Sequence, residues 1–487
     1  MAYRFVTPSM FVCALALTGC LEPYEAGTSA TDSDGGSGGS TGAPTSGSTG
    51  EASTGDPTDG GSGTDGTTGD GVPTGGCGAA PYSWLPSEGM GAIIEQQFLV
   101  EFTAAQINGL LADNGFEALG PVEFGARVYK IRYLTQDRGQ EIETTGFTAF
   151  PIGPSAMERP LVVWAHGTSG FSDACAPTAD PLGFQIPVIL AAKGYVAVAP
   201  DYIGMNGWGE PSGRLHPYIV PEPTALAVLD SVRALYDFAA KTPDLPTTPT
   251  DEVVLFGASE GGFATLWADR YAPHYAPELK IVANVAAVPP TDALGLTEHG
   301  MTVFGPTTGA LAAAIVGGWD WLGRTSSLTD VLSEGPPVDV ATELPMLMES
   351  GCSFDLPPGI AATDQVYKQS FIDAVVARDW DAMGVWGCML KQASLGDSAI
   401  PLLTSTPTLI PQGEIDDLVF TPVVREDLPR LCDQGYVIEH VECAGAGHVD
   451  AVLQTVPFAI RWVEDRLAGK PIASPCVINA PTDCTKL

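Results

Sequence analysis

Positive charge is scarce in this chain. Its 487 residues carry 22 Lys and Arg against 58 Asp and Glu, a formal net charge of −36. Binding a phosphate backbone needs a basic face, so the balance argues against a nucleic-acid partner. It suits a soluble, self-repelling surface in a salty or extracytoplasmic setting. Metal patterns are missing too: the chain has ten cysteines, but no pair shows the close Cys-x-x-Cys spacing of a zinc site. No apolar run reaches the roughly 20 residues that span a bilayer. Residues 21–76 contain no Lys or Arg and almost no apolar side chain. Such a stretch cannot bury enough surface to offset its ordering entropy, and it reads as a disordered spacer reaching on the order of 40 Å.

What is present begins at the N-terminus. Arg4 precedes a short apolar run from Met10 to Leu17, which closes on Leu17-Thr18-Gly19-Cys20. The run is a targeting segment rather than structure. Its end looks like a bacterial lipobox, which implies that Cys20 is lipidated and becomes the mature N-terminus. An ordinary secretory signal with an incidental cysteine is the other reading. Eight cysteines remain after Cys13 and Cys20: Cys77, Cys175, Cys352, Cys388, Cys432, Cys443, Cys476 and Cys484. In an exported chain they read as up to four disulfides. Sequence does not assign the pairs, but an extended run from Tyr436 to Cys443 should hold Cys432 and Cys443 too far apart to bond.

From Pro81 onward strand and helix signals alternate. Apolar, β-branched runs appear at 127–134, 161–165, 195–199, 252–256, 281–288, 408–411 and 436–441. Helical patterns fall at 188–193, 223–240, 262–271 and 451–467, the last with Val452, Val456, Ile460, Val463 and Leu467 on one stripe. Alternation of this kind predicts an α/β fold with a mostly parallel sheet covered on both faces. Residues 292–400, rich in Gly, Pro and Trp, break the pattern. They read as a mainly helical cap inserted between two sheet strands. The apolar segment 310–322 within it could line an acyl pocket, lie against lipid, or form the cap's own core. The expected organisation is a signal peptide at 1–19, a lipidated cysteine and tether at 20–80, a catalytic core at 81–291 and 401–470, the cap at 292–400, and a cysteine-containing tail at 471–487.

Gly257-Ala258-Ser259-Glu260-Gly261 matches the Gly-x-Ser-x-Gly nucleophile elbow. The pattern alone is weak, since Gly38-Gly39-Ser40-Thr41-Gly42 matches it within the tether. Context separates them: Ser259 follows a strand and precedes a helix, with small residues to allow the sharp turn. A serine hydroxyl needs a base to take its proton. Of the six histidines at 166, 216, 274, 299, 440 and 448, His448 lies after the last strand in Cys443-Ala444-Gly445-Ala446-Gly447-His448. His440 falls inside a strand and reads as structural. The acid that orients the base should follow the strand before, at Gln412-Gly413-Glu414-Ile415-Asp416-Asp417. Asp416 is the first choice, Asp417 its close rival and Asp450 a distant third. For the oxyanion, the donors expected are the backbone N–H of Glu260 and one from His166-Gly167-Thr168-Ser169-Gly170, with Thr168 favoured. His166 itself is expected to pack beneath that loop.

Trp164-Ala165-His166-Gly167-Thr168, Ala199-Pro200-Asp201-Tyr202-Ile203-Gly204, His216-Pro217-Tyr218 and the elbow occur in this order, followed by Gly413-Glu414-Ile415-Asp416 and Gly447-His448. Together, over about residues 120–470, they resemble the secretory lipase family. The resemblance implies an α/β-hydrolase fold and hydrolysis of carboxylic esters, often acylglycerols, with no metal or organic cofactor. It departs at Glu260, where Gln is more usual. The leading expectation is therefore a serine esterase or lipase, anchored to the bacterial cell envelope, with a lipid or small-molecule ester as partner and no obligate protein partner. Acyl transfer or polyester cleavage on the same triad is an alternative, as is a catalytically retired, surface-anchored binding protein.

Overall fold

The computed structural model describes residues 74–155 and 157–487. The signal segment, Cys20 and the tether to residue 73 lie outside the described residues. Nine strands form one sheet: β1 (Ile93–Phe102), β2 (Gly125–Asp137), β3 (Gln140–Ile152), β4 (Met157–Ala165), β5 (Val196–Pro200), β6 (Thr247–Ala258), β7 (Lys280–Ala287), β8 (Pro407–Gly413) and β9 (Val437–Cys443). Their spatial order is β1-β2-β3-β5-β4-β6-β7-β8-β9. The first three strands pair antiparallel with one another and β3 pairs antiparallel with β5. From β5 to β9 every pairing is parallel.

The central strands are apolar on both sides because both faces are covered. Leu161, Val163, Val253 and Leu255 point into one core with Phe238, Phe263 and Trp267, while Val162, Trp164, Val254 and Phe256 point into the other with Ile189, Val452 and Val463. Period-two alternation thus feeds two cores at once. Helices α1 (Ala104–Asp113), α2 (Gln185–Ala192), α3 (Pro221–Lys241) and α4 (Glu260–Tyr275) connect the strands up to β7, and α11 (Thr421–Gln434) and α12 (His448–Leu467) follow β8 and β9. Trp267 of α4 is fully buried, so truncating it to Ala would cost about 3–5 kcal/mol.

Two strands, β1 and β3, escaped the sequence reading for different reasons. β1 is an edge strand with mostly exposed side chains, so its apolar pattern is faint. β3 mixes buried threonines with Phe147, Ala149 and Phe150: Thr144 donates to the carbonyl of Asp201 and Thr145 to its carboxylate. Hydroxyls satisfied inside the fold do not look like core from sequence.

Between β7 and β8 the regular structure is helical: α5 (Ala293–Thr302), α6 (Pro306–Trp321), α7 (Val340–Ser350), α8 (Thr363–Val366), α9 (Gln369–Val376) and α10 (Val385–Ala393). These helices share an apolar cluster that includes Val316, Val331, Leu344, Tyr367 and Phe371, joined by Phe171, Leu215 and Tyr218 from the loops at the strand ends. The apolar segment 310–322 falls largely on α6, and its Leu311, Ile315 and Val316 are buried in that cluster.

Among the described residues, four disulfides close the structure: Cys77–Cys388, Cys175–Cys352, Cys432–Cys476 and Cys443–Cys484. The first two tie the helical segment to the start of the described chain and to the loop after β4. The last two clamp the C-terminal tail to α11 and β9.

Candidate active site

The site forms where the connections out of the sheet diverge. From β4 the chain runs through α2 to β5 on one side of β4, then returns through α3 to β6 on the other. Neighbouring strands whose connections lead apart leave a crevice at their carboxyl ends. Ala165 and Gly257 are partners in the β4–β6 register, so the loop after β4 and the turn after β6 face each other across that crevice.

The turn after β6 is sharp. Ser259 has φ +56° and ψ −120°, a left-handed conformation costly for a residue with a side chain, and it immediately precedes α4. Its N–H donates to the carbonyl of Ala287 at 2.8 Å, which holds the turn to β7. A methyl group on Gly261 would sit 1.9 Å from the carbonyl oxygen of Ala165, and one on Gly257 would sit 2.2 Å from that of Gly261. Only glycine fits at both places.

Three side chains from distant parts of the chain then meet. Ser259 Oγ lies 2.9 Å from His448 Nε2, and His448 Nδ1 lies 2.7 Å from Asp416 Oδ2. All three are buried, at 6%, 8% and 2% exposure. Asp416 is held in turn: its Oδ1 accepts from the N–H groups of Leu418 and Val419 at 3.0 and 2.9 Å, and its Oδ2 from the Gln412 amide at 3.1 Å. Asp417, the rival in sequence, is exposed, as is Asp450 in the first turn of α12. His448 is the first residue of α12 rather than a loop residue, since the helix begins three residues earlier than the sequence pattern suggested. The tail supports the approach to it: Ala444 N–H donates to Thr482 O at 2.8 Å beside the Cys443–Cys484 bridge.

Glu260 follows the serine in the turn after β6, and Thr168 lies in the loop after β4. Glu260 opens α4, where the first-turn N–H groups have no partner within the helix. Thr168 is buried in the loop after β4, and its hydroxyl donates to Tyr218 Oη at 3.2 Å. That loop is braced from below. The Tyr202 hydroxyl donates to the carbonyl of His166 at 2.7 Å, and the two rings pack at a tilt with centroids 4.3 Å apart. Burial lowers the pKa of His166 to about 4, so its ring is neutral, with Nδ1 donating to the Gly167 carbonyl at 2.7 Å. His440 lies in β9, buried, and desolvation likewise brings it to about 4.

The sequence reading missed the side chain of Glu260, crediting the residue only with its backbone. The carboxylate is buried and its Oε1 lies 2.5 Å from Nε2 of His216. One signal was available: a carboxylate placed beside Ser259 at a buried turn requires a partner, and His216 stood in the His216-Pro217-Tyr218 motif without a role.

Comparison with known proteins points to lipases and esterases. The secretory lipase family model matches residues 184–320 and 377–475. A secreted triacylglycerol lipase, LIP3, of Malassezia globosa is 24% identical over 395 residues, covering 76% of this chain and 77% of that protein. Lipase 5 of Candida albicans is 27% identical over 308 residues, covering 59% of this chain and 58% of that one. Among solved structures, the rice cell wall degrading esterase LipA from Xanthomonas oryzae superposes with a TM-score of 0.64 at 19% identity, over 79% of this chain and 100% of that one. The likeness is one of fold, and the fold is that of the α/β-hydrolases.

Proposed function

Because this chain belongs to the secretory lipase family, we propose that it hydrolyses carboxylic esters through an acyl-enzyme on Ser259. The observation that carries the reading is the continuous hydrogen-bonded chain from Ser259 Oγ through His448 to Asp416, at 2.9 and 2.7 Å. Ser259 Oγ attacks the acyl carbon and passes its proton to His448 Nε2. Asp416 keeps the ring in the tautomer that leaves Nε2 free to accept, and it stabilises the imidazolium that forms. The tetrahedral oxyanion takes hydrogen bonds from the backbone N–H groups of Glu260 and Thr168. Collapse releases the alcohol, which takes its proton from His448, and water repeats the sequence to free the acid. No cofactor enters this route.

Acylglycerols or other lipophilic esters are the proposed substrates, with the helical segment 292–400 acting as the cap that selects the acyl chain. The names of the two fungal relatives support the lipid assignment. Export through the N-terminal signal, with a lipid on Cys20 and residues 21–76 as a spacer, places the enzyme on the cell envelope. Four disulfides suit that oxidising location.

Two measurements test this. A fluorophosphonate should label the protein and should fail to label Ser259→Ala; an unlabelled wild-type protein removes the enzyme reading. A chain-length series of nitrophenyl esters, with and without a lipid interface, then separates lipase from short-chain esterase. For the anchor, a mature protein without added mass at Cys20 removes the lipidation.

A further inference from the structure

The Glu260–His216 pair is the most buried ionisable contact beside the site that the route above leaves unused. Glu260 is 2% exposed and His216 is 0%. His216 Nδ1 lies 2.9 Å from the carbonyl oxygen of Ile203. A carbonyl only accepts, so Nδ1 carries a hydrogen. The other ring nitrogen, Nε2, lies 2.5 Å from Glu260 Oε1. A bare ring nitrogen and a bare carboxylate oxygen are both acceptors and would repel at that separation. One proton therefore lies between them, whether it is counted on the ring or on the carboxyl. On either count the two side chains together carry no net charge.

No neighbour could supply the compensation in place of His216. Its ring packs on Tyr202 and Tyr218, with centroids 5.3 and 6.3 Å away. Burial pushes both phenols up, so they are neutral, and the His166 ring beyond Tyr202 is neutral for the reason given above. Among the described residues, no Lys or Arg bonds the Glu260 carboxylate.

We infer that His216 is a positioning residue for the proposed ester hydrolysis, supplying the proton that cancels the Glu260 carboxylate on the residue whose own N–H faces the oxyanion. The inference rests on Ser259 being the nucleophile. Negative charge develops on the substrate oxygen next to the first turn of α4. A buried, uncompensated carboxylate there would oppose it through a medium of low dielectric, undoing part of what the backbone donors contribute. A glutamine at this position would be neutral without help. A glutamate needs the histidine.

The test is a double-mutant cycle on His216→Gln and Glu260→Gln, with rates expressed per active site titrated by fluorophosphonate. Glutamine at 216 can donate a hydrogen bond to Glu260 but cannot give it a proton. His216→Gln should lower kcat by about 10- to 100-fold, less than loss of a whole oxyanion donor, with KM little changed. Its affinity for a trifluoromethyl ketone, which forms an anionic tetrahedral adduct on the serine, should fall in parallel. In the Glu260→Gln background the same change at 216 should cost almost nothing. A purely structural role would lower Tm and leave kcat per titrated site intact, and that result overturns the inference. So does a double variant no faster than His216→Gln alone. Nitrogen NMR of the wild-type ring decides the matter even if the variants fail to fold: a His216 Nε2 without a bound or shared proton contradicts the pairing. A wild-type protein with no titratable serine would instead bring down the esterase reading itself, and this inference with it.

Discussion

Asp416 touches His448 through one carboxylate oxygen, 2.7 Å from Nδ1, while its other oxygen accepts two backbone N–H groups. The carboxylate is thus locked in place against the imidazole by its own turn. Asp416→Asn preserves the shape but can present an amide N–H to the ring and favour the wrong tautomer. Its kcat should fall by about 10³- to 10⁴-fold. Asp417→Asn, at an exposed position, should behave as the wild type. Equal losses in the two variants, measured on one soluble ester, would undo the assignment. Ser259→Ala and His448→Ala should each remove nearly all turnover.

The turn at Ser259 depends on a missing side chain. In Gly261→Ala the new methyl would meet the Ala165 carbonyl at 1.9 Å, backbone that cannot rotate away. The variant should lose about 3 kcal/mol, the upper end of the range for overpacking, and should label poorly with fluorophosphonate. Urea unfolding that matches the wild type would show that the turn tolerates bulk.

The C-terminal tail should matter to catalysis although it contributes no triad residue. Cys443 and Cys484 close a bridge over 41 positions of sequence, next to the segment that leads to His448. Replacing both with Ser should cost about 2–5 kcal/mol and lower kcat as that segment loosens. A Tm equal to that of the parent would contradict the first expectation.

Three buried carboxylates should tilt stability towards mild acid. Burial pushes Asp201, Asp269 and Asp427 each up to about 6. Between the ordinary carboxylate range and that value the folded state binds protons that the unfolded state does not, so stability falls as pH rises through about 6. Relief of repulsion in a chain of charge −36 acts in the same direction. The neutral rings of His166 and His440 act the other way, because the unfolded imidazoles bind protons below about 6.5 that the folded ones do not. The carboxylate effect is therefore read by difference: as pH is lowered from about 7.5 to about 5.5, the Tm of the wild type should rise relative to that of Asp269→Asn, and a difference constant over that interval would refute the claim.

Patterns written over a few neighbouring residues were legible from sequence: the two-faced apolar strands, the small residues around Ser259, and the glycines leading to His448. Each is a local consequence of backbone geometry, so each leaves a local trace. The traces of β1 and β3 were weaker, since one faces solvent and the other interrupts its apolar residues with threonines that bond to Asp201.

Other choices existed only once the chain had closed on itself. Asp416 and Asp417 are chemically alike and adjacent, and the direction of one turn decided which is buried against the imidazole. Cysteine pairing across separations of 41 to 311 residues depended on where the tail and the helical segment dock. The partnership of Glu260 with His216, 44 positions apart, arose because folding buried a carboxylate beside Ser259. A buried charge must find its complement wherever in the chain that lies.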